Sequence, residues 1–181
     1  MSTALLLIDV QQAFDDPAWG PRNNPGAEAA IARLLAAFRE KGWPVVHVKH
    51  DSVEPQSTLR PDRPGNALKP EALPREGEPL FSKSVNSAFI GTGLEAHLRE
   101  RGVGALVIAG FITNHCVSTT ARMAGNLGFE TTVVEDACAT FDFKDGGGVI
   151  PAETMHRIGL AELRGEFAAI ATAEGVLASL R

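Results

Sequence analysis

Residues 4–9, Ala-Leu-Leu-Leu-Ile-Asp, form an unbroken apolar run closed by an acid. A run with no polar alternation is a strand covered on both faces, which calls for a sheet with a layer on each side. The rest of the chain supplies those layers. Ala27–Lys41 places Ile31, Leu34, Leu35 and Phe38 at helical spacing and closes at Gly42. Pro44–Val48 reads as a second strand, Gly91–Arg101 as a helix, and Val103–Ala109 as a third strand. Thr113–Leu127 reads as a helix ended by Gly128, followed by a strand at Glu130–Val134. Pro151–Leu163 is a helix with proline in its first turn, and Phe167–Thr172 a last strand before a short C-terminal helix. Strands alternating with helices predict an α/β three-layer sandwich, a mostly parallel sheet with helices on both faces. The 181 residues read as one domain, 1–181.

Two stretches break this rhythm. Residues 51–80 carry Pro55, Pro61, Pro64, Pro70, Pro74 and Pro79 with little periodicity, as expected of a functional lid or a crossover. Thr140–Gly148 ends in three glycines and reads as a mobile loop.

A net charge of -5 argues against a nucleic-acid partner, since phosphate binding needs a basic face. The apolar run after Met1 is too short, and met too soon by Asp9, to read as a signal peptide or membrane span. Two cysteines make no disulfide framework and fit a reducing compartment, so a cytoplasmic location is expected. After the first strand stands Asp9-Val10-Gln11-Gln12 in place of a glycine-rich phosphate loop, which disfavours dinucleotides and nucleoside triphosphates.

In open parallel sheets, ligands bind beyond the carboxyl ends of the strands. Three polar residues fall there. Asp9 closes the first strand, where it can cap a loop or act as a general base. Cys116 follows the third strand at the entry to a helix, where unpaired N–H groups favour a thiolate and can hold an oxyanion. A packing thiol and a nucleophile both suit that position. Lys83 follows the short extended segment Pro79-Leu80-Phe81-Ser82, and a lysine beside Cys116 lowers a thiol pKa further. His115 is adjacent to Cys116 and points about 100° away from it on a helix, so it is no partner. His47, His50, His97 and His156 lack a context that gives them a catalytic role. Cys138 has small neighbours and reads as packing. His50-Asp51-Ser52 is followed by no histidine before His97, so no metal site and no cofactor are expected.

Three segments, Leu6-Leu7-Ile8-Asp9-Val10-Gln11-Gln12-Ala13-Phe14, the Lys83 segment and Gly110-Phe111-Ile112-Thr113-Asn114-His115-Cys116-Val117, together resemble the isochorismatase-like cysteine hydrolase family. Thr119-Thr120-Ala121-Arg122 and Asp136-Ala137-Cys138-Ala139-Thr140 extend the resemblance over nearly the whole chain. It implies a Rossmann-like sheet and a catalytic triad of Asp9, Lys83 and Cys116. It also implies a cis peptide at Phe111–Ile112, with the N–H groups of Ile112 and Cys116 as the oxyanion hole, and a dimer or tetramer. Isochorismatases proper lack the cysteine and cleave an ether, whereas nicotinamidases of the family carry an Asp/His metal site. What remains resembles the amide and carbamoyl hydrolases, and Lys83–Phe89 is similar to the streptothricin-hydrolase branch. The expected partner is then a small-molecule substrate cleaved at a C–N bond, with no membrane involved. Phe14, Trp19, Asn86, Phe111 and Phe141 are candidates for its pocket. A small-molecule binder or redox sensor built on Cys116, with Cys138 as the resolving thiol, is the alternative from another class. A nicotinamidase-like enzyme is the alternative within the family.

Overall fold

The computed structural model describes residues 2–180. Its strands are β1 (Ser2–Ile8), β2 (Val45–His50), β3 (Leu80–Lys83), β4 (Val103–Phe111), β5 (Glu130–Ala139), β6 (Phe143–Lys144), β7 (Val149–Ile150) and β8 (Ala169–Ala171). Its α-helices are α1 (Ala27–Glu40), α2 (Leu94–Glu100), α3 (Ser118–Asn126), α4 (Ala152–Leu163) and α5 (Ala173–Ser179). Six strands form one sheet in the order β3-β2-β1-β4-β5-β8, every neighbouring pair parallel. The chain winds outward from β1 to β2 and β3, then returns to β4 on the other side of β1. The order therefore reverses between β1 and β4, where an open α/β sheet leaves a crevice at its carboxyl end.

The unbroken apolar run of β1 has the expected cause. Leu5 and Leu7 pack in one core with Ile31, Leu34, Leu35 and Phe38 of α1 and Val176 of α5. Ala4, Leu6 and Ile8 pack in a second core with Leu98 of α2, Ala121 of α3 and Leu160 of α4. Successive residues of a strand point to opposite faces, so a strand between two helical layers has no polar position. Among the described residues no helix is long and apolar enough to cross a membrane.

Several boundaries differ from the sequence expectation. The helix expected from Gly91 begins at Leu94, because Gly91 takes a left-handed φ of 71°. The helix expected from Thr113 opens with a π-helical turn, Thr113–Val117, and α3 starts only at Ser118. β5 runs on to Ala139, past the expected Val134, through an irregular ladder: Ile108 pairs with Val133 and Gly110 with Cys138. The last strand spans Ala169–Ala171 alone. The stretch expected as a mobile loop, Thr140–Gly148, holds β6, the first arm of a small antiparallel hairpin with β7. Asp142 fixes its base, accepting from the Ala152 N–H at 2.7 Å. Segment 51–79 is the crossover between β2 and β3, built on short 3-10 turns at Pro64–Asn66 and Pro70–Ala72.

Gly110 controls how closely β4 approaches β1 at the crevice. It pairs with Ile8, its φ is 131°, and a Cβ placed there meets the Ile8 carbonyl oxygen at 2.0 Å. Neither backbone can yield without disturbing the strand end that carries Asp9. Gly110→Ala is therefore expected to destabilise the protein by about 3 kcal/mol or more, as overpacking against backbone does. Urea unfolding checks this; a loss under about 1 kcal/mol refutes the close-approach argument.

Candidate active site

Four strand ends meet at the crevice. Asp9 follows β1, His50 ends β2, Lys83 ends β3, and Cys116 lies in the π-helical turn after β4. Asp9 itself adopts a φ of 52°, a conformation that aspartate tolerates better than most residues and that turns the chain sharply off the strand. His50 and Lys83 are register partners. Adjacent strands lie about 4.8 Å apart, so Lys83 stands two strands, roughly 10 Å, from β1. A four-carbon stem is what spans that gap.

The Lys83 ammonium is the hub. Nζ lies 2.7 Å from Asp9 Oδ2, 2.9 Å from His50 Nδ1 and 3.2 Å from Cys116 Sγ. Three protons thus meet three acceptors. Asp9 is 0% exposed, Lys83 2% and Cys116 9%, so this is a desolvated cluster. Asp9, His50 and Cys116 each place a ligand-type atom within 4.8 Å of the other two. Those atoms surround the Lys83 ammonium, which supplies a cation at that point.

Electrostatics correct one sequence expectation. Burial and the Asp9 charge push the Cys116 thiol up to about 12, and Lys83 offsets only part of this. Lys83 lowers the thiol pKa as expected, yet burial, the largest influence, together with the Asp9 carboxylate outweighs it. The resting nucleophile candidate is therefore a thiol. It donates to Asn86 Oδ1 at 3.7 Å. Burial also raises the Asp9 pKa, against the lowering by Lys83. Asp9 Oδ1 has no hydrogen-bond partner among the described residues and keeps its full capacity to accept a proton.

The Phe111–Ile112 peptide is cis, and the Ile112 N–H has no acceptor among the described residues. Phe14, Trp19, Phe111 and Phe141 form one aromatic cluster with ring centroids 5.2–6.2 Å apart. Phe14, Phe111 and Phe141 are buried in the core of the α1 face, whereas Cys116 belongs to the core on the α3 side. Trp19 also lines a cavity of about 240 Å³ with Gln56, Ser57 and Thr58. The cations of Arg22 and Lys69 lie 5.3 and 5.7 Å from the Phe111 ring centre. Of the five pocket candidates, Asn86 is the one hydrogen-bonded to Cys116.

His50 is the residue that sequence reasoning passed over. Its sequence neighbours mark it as a partner for neither cysteine nor metal, yet its contact is to a lysine across a strand pair. The strand-end rule that selects Asp9 selects His50 equally. Burial and the Lys83 charge hold its pKa at about 4, so its ring is neutral. His47 points to the other face of β2, against Glu78 at 3.0 Å. His156 meets Thr113 Oγ1 at 2.8 Å, and Cys138 is fully buried.

The Isochorismatase domain model matches residues 3–175. The uncharacterized isochorismatase family protein YrdC of Bacillus subtilis is 46% identical over 175 residues, covering 96% of this chain and 94% of its own. Streptothricin hydrolase of Streptomyces noursei is 35% identical, covering 85% of this chain and 56% of its own. Maleamate amidohydrolase of Pseudomonas putida is 35% identical, covering 74% and 70%. The crystal structure of an isochorismatase-family protein from Chromobacterium violaceum superposes with a TM-score of 0.95 at 53% identity, over 99% of this chain and 93% of that one.

A neutral resting thiol has a measurable consequence. The rate of Cys116 alkylation by iodoacetamide is expected to climb about tenfold per pH unit from pH 7 to pH 10, because only the thiolate reacts. A plateau at or below about pH 8 on the labelled Cys116 peptide contradicts the raised pKa.

Proposed function

This chain belongs to the isochorismatase family of hydrolases, and from that premise we propose that it is a cysteine hydrolase acting on a C–N bond of a small amide or carbamoyl compound. The observation that carries the reading is a single ammonium, Lys83 Nζ, in contact with both the buried carboxylate of Asp9 and the sulfur of Cys116. A packing thiol needs neither group. The likeness to maleamate amidohydrolase supports an amide as the bond cleaved.

The steps follow from the charges. Asp9, deprotonated, takes the Cys116 proton as sulfur attacks the substrate carbonyl carbon. Its raised pKa makes it a better base, while the thiol pKa of about 12 means the proton leaves only as the C–S bond forms. Lys83 meets the charge developing on sulfur. The N–H groups of Ile112 and Cys116 hold the carbonyl oxygen as it becomes an oxyanion. Collapse of this intermediate breaks the C–N bond, and the amine leaves with the proton that Asp9 had accepted. The acyl group remains on sulfur as a thioester. Water then attacks the thioester carbonyl, giving a proton to Asp9, and the acid departs as that proton returns to sulfur.

No step calls for a metal. The Lys83 ammonium already occupies the point on which Asp9, His50 and Cys116 converge, so a metal ion there has to displace it. A redox sensor with Cys138 as resolving thiol is less well supported, because Cys138 is a fully buried residue of β5, paired with Gly110 of β4.

Cys116→Ala is expected to remove turnover in a screen of small amides for ammonia or amine release. The loss should exceed about a thousandfold, as for covalent nucleophiles in other hydrolases. Intact mass with a slow substrate should show an acyl adduct on the wild type alone. Residual turnover above about one part in a thousand rejects the nucleophile. Separately, activity is expected to survive exhaustive chelation with metal content verified by elemental analysis. Loss on chelation and recovery on adding zinc, manganese or iron favours a nicotinamidase-like enzyme instead.

A further inference from the structure

His50 is held more firmly than its half-buried place at a strand end requires. Gln11 grips its backbone from both sides: Oε1 accepts from the His50 N–H at 2.8 Å, and Nε2 donates to the His50 carbonyl at 3.1 Å. Asn66 Nδ2 donates to the same carbonyl at 3.1 Å, and Gln11 Nε2 also donates to the Asn66 carbonyl at 2.9 Å. Both amides are buried. They extend the sheet's hydrogen bonding past the end of β1 and tie the β2–β3 crossover to it. The result is a fixed ring whose Nδ1 lies 2.9 Å from Lys83 Nζ.

The chemistry of that contact is one-sided. An ammonium has three N–H groups and no acceptor, so His50 Nδ1 carries no proton and accepts. The ring is the neutral tautomer with its proton on Nε2, in keeping with a pKa held near about 4 by burial and by the Lys83 charge. We propose that His50 is a positioning residue: its Nδ1 accepts a hydrogen bond from the third N–H of Lys83 Nζ and fixes the ammonium where it faces Asp9 and Cys116 together. This rests on the cysteine-hydrolase reading of the same site. With two acceptors only, the ammonium turns about its stem toward the carboxylate, since Asp9 carries charge and lies at 2.7 Å whereas the neutral sulfur lies at 3.2 Å. The third acceptor makes the contact a tripod. An N–H is then already aimed at sulfur when Asp9 removes the thiol proton, and no reorganisation is needed at that moment. His50 acts through Lys83, so its effect falls on kcat.

The test uses the full chain with His50→Leu, which removes the acceptor, His50→Gln, which keeps polarity but displaces the acceptor, and His50→Asn, whose side-chain oxygen can stand where Nδ1 stood. Circular dichroism and melting check the fold of each. Two readouts are taken: kcat and KM on an amide found in the screen, and the iodoacetamide rate at Cys116 at pH 9, which needs no substrate. His50→Leu and His50→Gln are expected to lower kcat about 100-fold with KM within about threefold, the scale of a misplaced catalytic group. The same variants should slow alkylation about fivefold or more, since the thiolate loses a positioned partner. His50→Asn should recover both to within about fivefold of wild type. Retention of kcat and alkylation within about threefold in the Leu and Gln variants overturns the role, as does an Asn variant no better than Gln. Should His50→Leu fail to fold, the Gln and Asn pair decides alone. A chain that hydrolyses no amide still gives the alkylation result, which separates failure of this proposal from failure of the hydrolase reading.

Discussion

The buried ion pair between Asp9 and Lys83 is the constraint around which the site is built, with side chains 1% and 0% exposed. Taking two such charges out of water costs several kcal/mol each, repaid only when the geometry satisfies both. Lys83 is fully satisfied, with one acceptor for each proton. Asp9 is not, since its Oδ1 has no partner among the described residues. Under the proposed mechanism, that oxygen is where Asp9 takes up a proton. The pair also bears on the state of Cys116, because burial and the Asp9 charge outweigh Lys83 and keep the thiol protonated.

Holding the pair in place uses most of the local architecture. The ammonium reaches it from β3 across β2, which works because β1, β2 and β3 end at nearly the same level in a parallel register. Gly110 allows β4 to close on the end of β1 and brings the π-helical turn with Cys116 to the same point. Gln11 and Asn66 bind the end of β2 to the crossover after it. The proline-rich 51–79 segment thus supports the site from behind. Its prolines suit an irregular path whose polar backbone groups are met by side-chain amides in place of helix or sheet.

Much of the fold was legible in the chain because burial on two faces leaves a local mark. Leu5 to Ile8 show no polar alternation, and the heptad-like spacing of Ile31, Leu34, Leu35 and Phe38 marks one helix face. Boundaries were less legible where a few residues do something irregular. The π-helical turn at Thr113–Val117 and the shifted ladder between Val133 and Cys138 have no periodicity to read. The aromatic residues show a similar limit. Phe14 and Phe141 read as candidate pocket residues, but sequence gives no sign that they pack together on the α1 side, with Phe141 stacked on Trp19 and Phe14 edge-on to Phe111.

Sequence by itself determined the layered α/β architecture, and it placed Asp9, Lys83 and Cys116 at strand ends, because strand periodicity and strand termini are properties of short segments. Only the tertiary structure decided the proton on Cys116 and the place of His50. A thiol's charge state depends on the distances to Asp9 and Lys83 and on the loss of water, and both exist only after strands far apart in sequence have paired. His50 matters because β2 lies between β1 and β3, which puts its ring on the path of the lysine stem. Strand order is a global outcome of how crossovers pack, and no residue within a few positions of His50 encodes it.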